Sequence, residues 1–274
     1  MNHILVLILF LLPFFPSPGH ARNVSLTPLE KMIQQIEKNA GSWTALKADV
    51  MMDFLIEKES KASCEGKLTY DRLDEKILLN CFDRQNQLVF SFKTDDRNFE
   101  LYLPSQETIF SGNIFDLQDS PDIEAHLKPL DLYRALKPIA IPTGQSEIEN
   151  WGRDTVTLKI FGKKRFSPYL SRRLFTTETG NVFKEIFYSF EEKPTVTIYR
   201  SRFHQFLIQD SRYRAKVLYP RLIEIESHAL RKSIQMQFEQ IQFFSLLGDE
   251  AWQVSHDPDA MEVFLDDPLA TATA

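Results

Sequence analysis

Residues 46–57 read LKADVMMDFLIE, a stretch in which apolar side chains occupy every second position. Similar alternation continues through four more segments up to Leu103, with short polar loops between them. A period of two is typical of β-strands that have one apolar and one polar face. Short loops place consecutive strands side by side in an antiparallel sheet. The sequence therefore predicts a long β-meander whose apolar face has to be covered.

Further strand patterns bring the total to about eleven. They lie at Val156–Ile160, Ser171–Thr177, Val182–Phe190, Val196–Ile198, Leu222–Glu226 and Ile234–Phe238. A flat sheet seldom carries so many strands without curling. We therefore predict a mainly β fold, a strongly curved antiparallel sheet that forms an incomplete β-barrel. No Gly/Ser-rich linker divides residues 22–274, so we expect a single domain.

Two helices accompany the predicted sheet. Residues 27–30, Thr-Pro-Leu-Glu, combine a capping residue, a proline at the first helical position and a capping-box glutamate, and Gly41 ends the amphipathic helix that follows. The second helix lies between Pro129 and Pro138, within a segment from Asn113 to Gln145 that lacks strand alternation. Long segments of this kind are often lids or binding loops, so we predict a short lid helix here.

The first 21 residues resemble a secretory leader. An apolar run from Ile4 to Phe15 is too short to span a bilayer, and small residues at Gly19 and Ala21 suit signal peptidase. Because residues 1–3 carry no Lys or Arg, a buried N-terminal element is the alternative. We expect residues 1–21 to be a cleaved signal peptide. No cysteine for lipidation follows the leader, so the secreted product should be soluble.

Composition and motifs exclude several functional classes. The 274 residues carry 38 acidic and 32 basic side chains, a formal net charge of −6, which argues against nucleic acid as a partner. Single histidines such as His204 and the absence of paired metal-ligand spacings predict no metal site and no cofactor. No nucleophile motif such as Gly-x-Ser-x-Gly occurs, so we predict no catalytic residues and no enzyme.

The only two cysteines, Cys64 and Cys81, fall on neighbouring predicted strands. If Tyr70 pairs with Glu75 across the intervening loop, the two cysteines lie directly opposite each other, about 4.5 Å apart at Cα in a non-hydrogen-bonded pair. In an oxidising compartment this arrangement favours a disulfide. Two reduced, buried thiols are the alternative.

The remaining candidate for a functional site is the apolar face of the predicted sheet. The candidate floor of a binding cavity consists of Phe54, Phe90, Phe92, Phe99 and Leu101, and the lid helix adds Leu132, Tyr133 and Leu136 from above. A half-barrel too wide for its own side chains would leave a cavity of lipid size. Periodicity alone favours the other arrangement, an ordinary core sealed by two helices.

The order of these features resembles the lipoprotein-sorting carrier and receptor superfamily of Gram-negative bacteria, the LolA/LolB-like proteins. The similarity covers most of the chain after the leader. It rests on the helix at Thr27–Ala40, the long strand after Trp43, the segments Gly66–Tyr70 and Phe99–Pro104, the pair Gly112–Asn113, and the late segments Tyr219–Ile225 and Ser233–Phe238. The chain differs by lacking a lipidated cysteine and by extra sequence at Asn113–Gln145 and Arg200–Tyr213.

The resemblance implies an eleven-stranded incomplete barrel around a hydrophobic cavity that carries or receives acyl chains. It also implies a periplasmic location, lipid or lipoprotein acyl chains as ligand, and a protein of the inner or outer membrane as a further partner of a monomer. Three hypotheses follow: a periplasmic carrier of lipid or lipoprotein, an envelope-stress sensor or assembly factor that uses the fold for protein interaction, and an unrecognised hydrolase. We rank them in that order.

Overall fold

A computed structural model of the protein describes residues 26–56, 59–95, 97–114, 129–142, 144–164, 167–208, 216–228, 231–252 and 259–265. The expected leader, residues 1–21, lies outside these ranges. The described residues form one large curved sheet with two α-helices, and the sheet does not close on itself. The predicted mainly β, incomplete-barrel fold is therefore confirmed.

The helices are α1 (Pro28–Ala40) and α2 (Pro129–Leu136). The strands are β1 (Ala45–Ile56), β2 (Glu59–Asp71), β3 (Lys76–Phe82), β4 (Leu88–Asp95), β5 (Asn98–Leu103), β6 (Thr108–Asn113), β7 (Ser146–Trp151), β8 (Thr155–Lys164), β9 (Ser167–Thr177), β10 (Val182–Tyr188), β11 (Pro194–Leu207), β12 (Lys216–Ser227), β13 (Lys232–Phe238), β14 (Gln242–Phe244) and β15 (Met261–Leu265). All eleven predicted strands are present. Four others, β6, β7, β14 and β15, are not indicated by the alternation.

The sheet consists of two meanders joined in the middle. Its order is β15-β6-β5-β4-β3-β2-β1-β13-β12-β11-β10-β9-β8-β7, with β14 also beside β1. All pairs are antiparallel except β15 with β6. The junction is the pairing of β1 with β13, which sets Val50 opposite Phe238. Strands β6 and β7 lie near opposite ends of the strand order, and α2 lies between them in the chain.

Helix α1 forms as its sequence predicts. The Thr27 and Glu30 side chains each accept a hydrogen bond from the other residue's backbone N–H, which completes the capping box. Its buried residues Met32 and Ile36 pack in a cluster with apolar residues of β8, β9 and β10. The turn between β9 and β10 approaches α1 so closely that a Cβ on Gly180 would lie 2.8 Å from Gln35 Cγ. Gly180 also has φ +78°, which glycine adopts without strain.

A larger cluster fills the concave face between the two meanders. It joins core-facing residues of β1–β5 with those of β11, β12 and β13 and with five residues of α2. Trp43 lies at one end, where its ring contacts the edges of Tyr70 and Tyr219 at centroid distances of 5.2 and 5.9 Å. Helix α2 is thus part of the packed interior.

The predicted disulfide between Cys64 and Cys81 is present, with a Cα–Cα distance of 5.7 Å. The predicted register is wrong by two residues, because Tyr70 pairs with Ile77 and Gly66 lies opposite Cys81. The hairpin loop begins one residue later than predicted. The Asp71 carboxylate accepts hydrogen bonds from the backbone N–H groups of Leu73 and Asp74. This local turn, which the alternation does not reveal, fixes the loop at residues 72–75.

Candidate functional site

The structure brings the eight predicted site residues together in one packed cluster. Phe90, Phe92, Phe99 and Leu101 form a floor on which each side chain is at most 2% exposed, and Phe54 packs at its edge. Leu132, Tyr133 and Leu136 of α2 belong to the same cluster and are at most 3% exposed. In this conformation the space between floor and helix is filled by the protein's own side chains. Contact of these residues with a ligand remains a prediction.

Polar contacts fasten α2 to the loop between β2 and β3. The Tyr133 hydroxyl donates to Glu75 Oε2 over 3.1 Å, and Lys137 Nζ donates to the same oxygen over 2.5 Å and to the Tyr133 hydroxyl over 2.6 Å. Burial raises the pKa of Tyr133. Burial would lower the pKa of Lys137, but the bonds to Glu75 and Tyr133 outweigh it and raise that pKa. These three residues, here called the Glu75 clamp, close one side of α2.

A buried charge network holds the other side of α2. The Glu185 carboxylate accepts from Arg172 Nη1 over 3.0 Å on one oxygen and from Arg200 Nη1 over 3.1 Å on the other. Arg200 also donates to the backbone carbonyl of Ala135, and Arg172 donates to that of Ala140. The network therefore positions the end of α2 and the segment that follows it.

A crevice, cleft A, lies between α1, the end of α2 and strands β11 and β12. Its volume is about 80 Å³. Apolar side chains dominate its walls, among them Ile36, Ala40, Trp43, Leu136, Val182, Leu218 and Ile223. Leu136 is the one predicted site residue that lines it.

Tyr219 places a hydroxyl group in the lining of cleft A. Its side chain is 6% exposed, and the hydroxyl has no hydrogen-bond partner among the described residues. Burial raises the pKa of Tyr219, so the phenol stays protonated. Buried polar groups are nearly always paired, so a ligand or a water molecule in cleft A can supply the partner of this hydroxyl.

A wider opening, cleft B, lies at the other end of strands β9 and β10. Its volume is about 570 Å³, within the ~300–1,000 Å³ that is usual for small-molecule sites. It is lined by Arg134 of α2, by Arg172, and by aromatic residues of β8, β9 and β10 and the turn after β10: Phe161, Tyr169, Phe187, Tyr188 and Phe190. None of the predicted site residues lines it.

The sequence interpretation missed five polar residues of this region: Arg134, Arg172, Glu185, Arg200 and Tyr219. One of the network's members carried a visible signal, because Arg200 continues the core-facing row of Val196 and Ile198. A charged residue in an apolar row predicts a buried partner. Its partner, Glu185, lies on another strand and is brought near only by the fold.

The described part of the chain gives little support for a metal site, a catalytic histidine or a membrane-spanning helix. His, Cys, Asp and Glu side chains nowhere gather there in threes that could bind a metal. His204 lies exposed on β11, and His228 Nε2 lies 2.8 Å from Thr197 Oγ1. His126 and His256 lie outside the described residues. Neither described α-helix has the length and apolar character that a bilayer-crossing helix requires.

No protein-family model matches the sequence, and no curated protein matches it significantly. Solved structures do share its fold. A domain from Vibrio parahaemolyticus assigned to outer-membrane lipoprotein sorting has a TM-score of 0.59 at 15% identity, over 80% of this chain and 94% of that one. A LolA superfamily protein from Nitrosomonas europaea has a TM-score of 0.56 at 11% identity, over 84% and 99%. A DUF1329 family protein from Desulfovibrio piger has a TM-score of 0.57 at 10% identity, over 83% and 98%. At these identities the similarity shows the fold alone.

Proposed function

We propose, from the premise that the chain has a LolA/LolB-like fold, that it binds the acyl chain of a lipid or lipoprotein on the concave face of its sheet. The observation that carries the proposal is the position of α2. Its apolar residues Leu132 and Leu136 belong to one buried cluster with the aromatic floor, and Leu136 also lines the apolar cleft A. The protein would act as a binding or carrier protein and not as an enzyme.

Entry of an acyl chain requires α2 to move. Cleft A holds about 80 Å³, room for a few water molecules, so a long chain fits only when α2 lifts from the floor. The Glu75 clamp is partly exposed, and ion pairs of this kind contribute about 1 kcal/mol or less. Burial of an acyl chain contributes about 0.8 kcal/mol of favourable free energy for each methylene group. A chain of moderate length can therefore offset the opening of the clamp.

The Tyr219 hydroxyl gives the proposed site a polar contact. It lines cleft A without a partner in the described residues, and burial keeps it protonated. A protonated phenol donates a hydrogen bond. An ester or amide carbonyl at the head of an acyl chain is a suitable acceptor. Tyr219 would then set the depth to which the chain enters.

The remaining parts of the proposal follow from the sequence. We expect cleavage of residues 1–21, a periplasmic location, and a monomeric single domain over residues 22–274. A protein of the inner or outer membrane would deliver or receive the ligand. Intact mass of protein from an osmotic-shock fraction tests the leader, since retention of Met1 in a membrane-bound product would contradict it.

Native mass spectrometry of the purified protein, before and after lipid extraction, tests acyl-chain binding directly. A fluorescent long-chain fatty-acyl probe then gives the affinity. Ala40→Phe places a ring at the mouth of cleft A and should weaken probe binding by about tenfold or more, an affinity change of ~1.4 kcal/mol. Gln34→Phe adds the same ring to an exposed position of the same helix and should bind like wild type. A folded wild type that binds no probe and carries no lipid would overturn the proposal.

The second candidate function is protein interaction, as an envelope-stress sensor or assembly factor. Strand β15 is the last strand of the described sheet, and its Met261 and Phe264 side chains are 61% and 72% exposed. Exposed apolar side chains on a terminal strand suit a protein partner that adds to the sheet edge. This function becomes the stronger one if the lipid experiments fail.

A further inference from the structure

Cleft B differs from cleft A in charge as well as in size. The charged side chains that line it are two arginines, Arg134 and Arg172, with no acidic residue among the lining groups. Its walls are aromatic, and Phe190 at its edge is 57% exposed while its ring lies 4.8 Å from that of Tyr169. A cationic centre within a partly exposed aromatic surface is an arrangement that suits an amphiphile with a negative head.

The two arginines differ in the number of hydrogen bonds that their guanidinium groups donate within the protein. Arg172 already has partners in the protein, because its guanidinium donates hydrogen bonds to Glu185 Oε1 and to the backbone carbonyl of Ala140. Arg134 approaches Asp131 Oδ1 at 3.6 Å, which is too long for a hydrogen bond. Its guanidinium stacks over the ring of Phe187 at 4.5 Å and donates no hydrogen bond within the described residues. Burial lowers the pKa of Arg134, but a guanidinium remains charged.

We propose that cleft B is a second ligand site, which binds the carboxylate or phosphate head of an anionic amphiphile through the Arg134 guanidinium. Its N–H groups face Asp131 only at ion-pair distance, and they offer the planar, paired donors that fit these anions. The apolar part of the ligand packs against Phe161, Phe187 and Phe190. Cleft B is separated from cleft A by the buried Glu185 network, so this site does not depend on the acyl-chain site proposed above.

Isothermal titration calorimetry with octyl phosphate, octanoate and octanol tests the site. Wild type should bind the two anions on the order of tenfold more tightly than octanol, and the difference should shrink as salt is added. Arg134→Gln should remove the preference for the anions. Arg153→Gln removes the same charge from an exposed position between β7 and β8 that does not line the cleft, and it should leave the preference unchanged.

Three results would overturn the inference. They are equal affinity of wild type for octanol and octyl phosphate, a preference for anions that survives in Arg134→Gln, and inorganic phosphate binding as tightly as octyl phosphate. The Ala40→Phe variant separates the two proposals. It should lose the long-chain probe and keep octyl phosphate, so failure of either site is seen without the other.

Discussion

Arg200 and Glu185 form an ion pair of 3.1 Å in which both side chains are buried, and the pair lies between the two clefts. Arg200 lines cleft A, whereas the second oxygen of Glu185 binds Arg172, which lines cleft B. One carboxylate thus holds two cations in the interior. Such a network is sensitive to the loss of its shared partner, because the buried Arg200 and the partly buried Arg172 both lose their counter-charge.

Glu185→Gln should lower the free energy of unfolding by about 3–5 kcal/mol, the usual cost of breaking a buried ion pair from one side. Urea denaturation followed by circular dichroism measures the change. Glu191→Gln is the control, since Glu191 pairs with Lys193 on the surface and both side chains are more than 70% exposed. No measurable change is expected there. A similar loss in both variants would contradict the role given to the network.

Tyr219→Phe should stabilise the unliganded protein by about 1 kcal/mol, since it removes a buried hydroxyl that lacks a partner in the described residues. The same change should weaken the binding of an acyl ester, because the donor to its carbonyl is lost. Thermal denaturation with and without ligand measures both effects. Lower stability without ligand would show that the hydroxyl is already paired.

Lys137→Met should open the Glu75 clamp while it keeps the apolar stem of the side chain. We expect faster association of the fatty-acyl probe in stopped-flow experiments, with unfolding free energy lowered by about 1 kcal/mol or less. Lys76→Met breaks an exposed pair with Asp74 in the same hairpin and should change neither quantity. An unchanged association rate in Lys137→Met would mean that α2 does not gate the site.

The same clamp predicts a pH dependence at the alkaline end. The pKa of Lys137 is raised in the folded protein, so its contribution is fully present below the ordinary lysine pKa of about 10.4. The contribution is lost as the pH rises through the folded value. Wild type should therefore lose more stability than Lys137→Met across this range. Parallel pH profiles of the two proteins would rule out the clamp as the cause.

The disulfide should contribute about 3 kcal/mol at most, because it joins residues only 17 positions apart. The double variant Cys64→Ala, Cys81→Ala should lose that much stability in urea denaturation. Wild type treated with reductant should show a similar loss. Alkylation of denatured protein without reductant should leave both thiols blocked, and free labelling of both would contradict the bond.

Much of the fold could be predicted from the alternation of apolar and polar residues. The same pattern explains why some strands were not predicted. Long strands such as β1 show the pattern because one face is buried along their length. Strand β14 has only three residues, and β7 lies at the end of the sheet where most of its side chains are exposed. Short or exposed strands leave no periodic pattern in the sequence.

The candidate site could be predicted only in part. The apolar residues on its floor and on α2 come together because apolar rows must pack against each other. Sequence could not show that they fill the space, since that depends on the curvature of the sheet. The polar contacts of Glu185 and Arg134 join elements distant in the chain, and pairing of that kind has no local signal.

The junction of β1 with β13 has a consequence for how the chain acquires its structure. The first meander is synthesised well before β13, which has to pair Phe238 with Val50. Until then, β1 presents an unpaired edge together with the apolar face of its neighbours. Pairing over so long a stretch of chain is slow, and open edges attract other chains. The half-built sheet is therefore the species most prone to aggregate, and a chaperone that shields β1 would raise the yield of native protein.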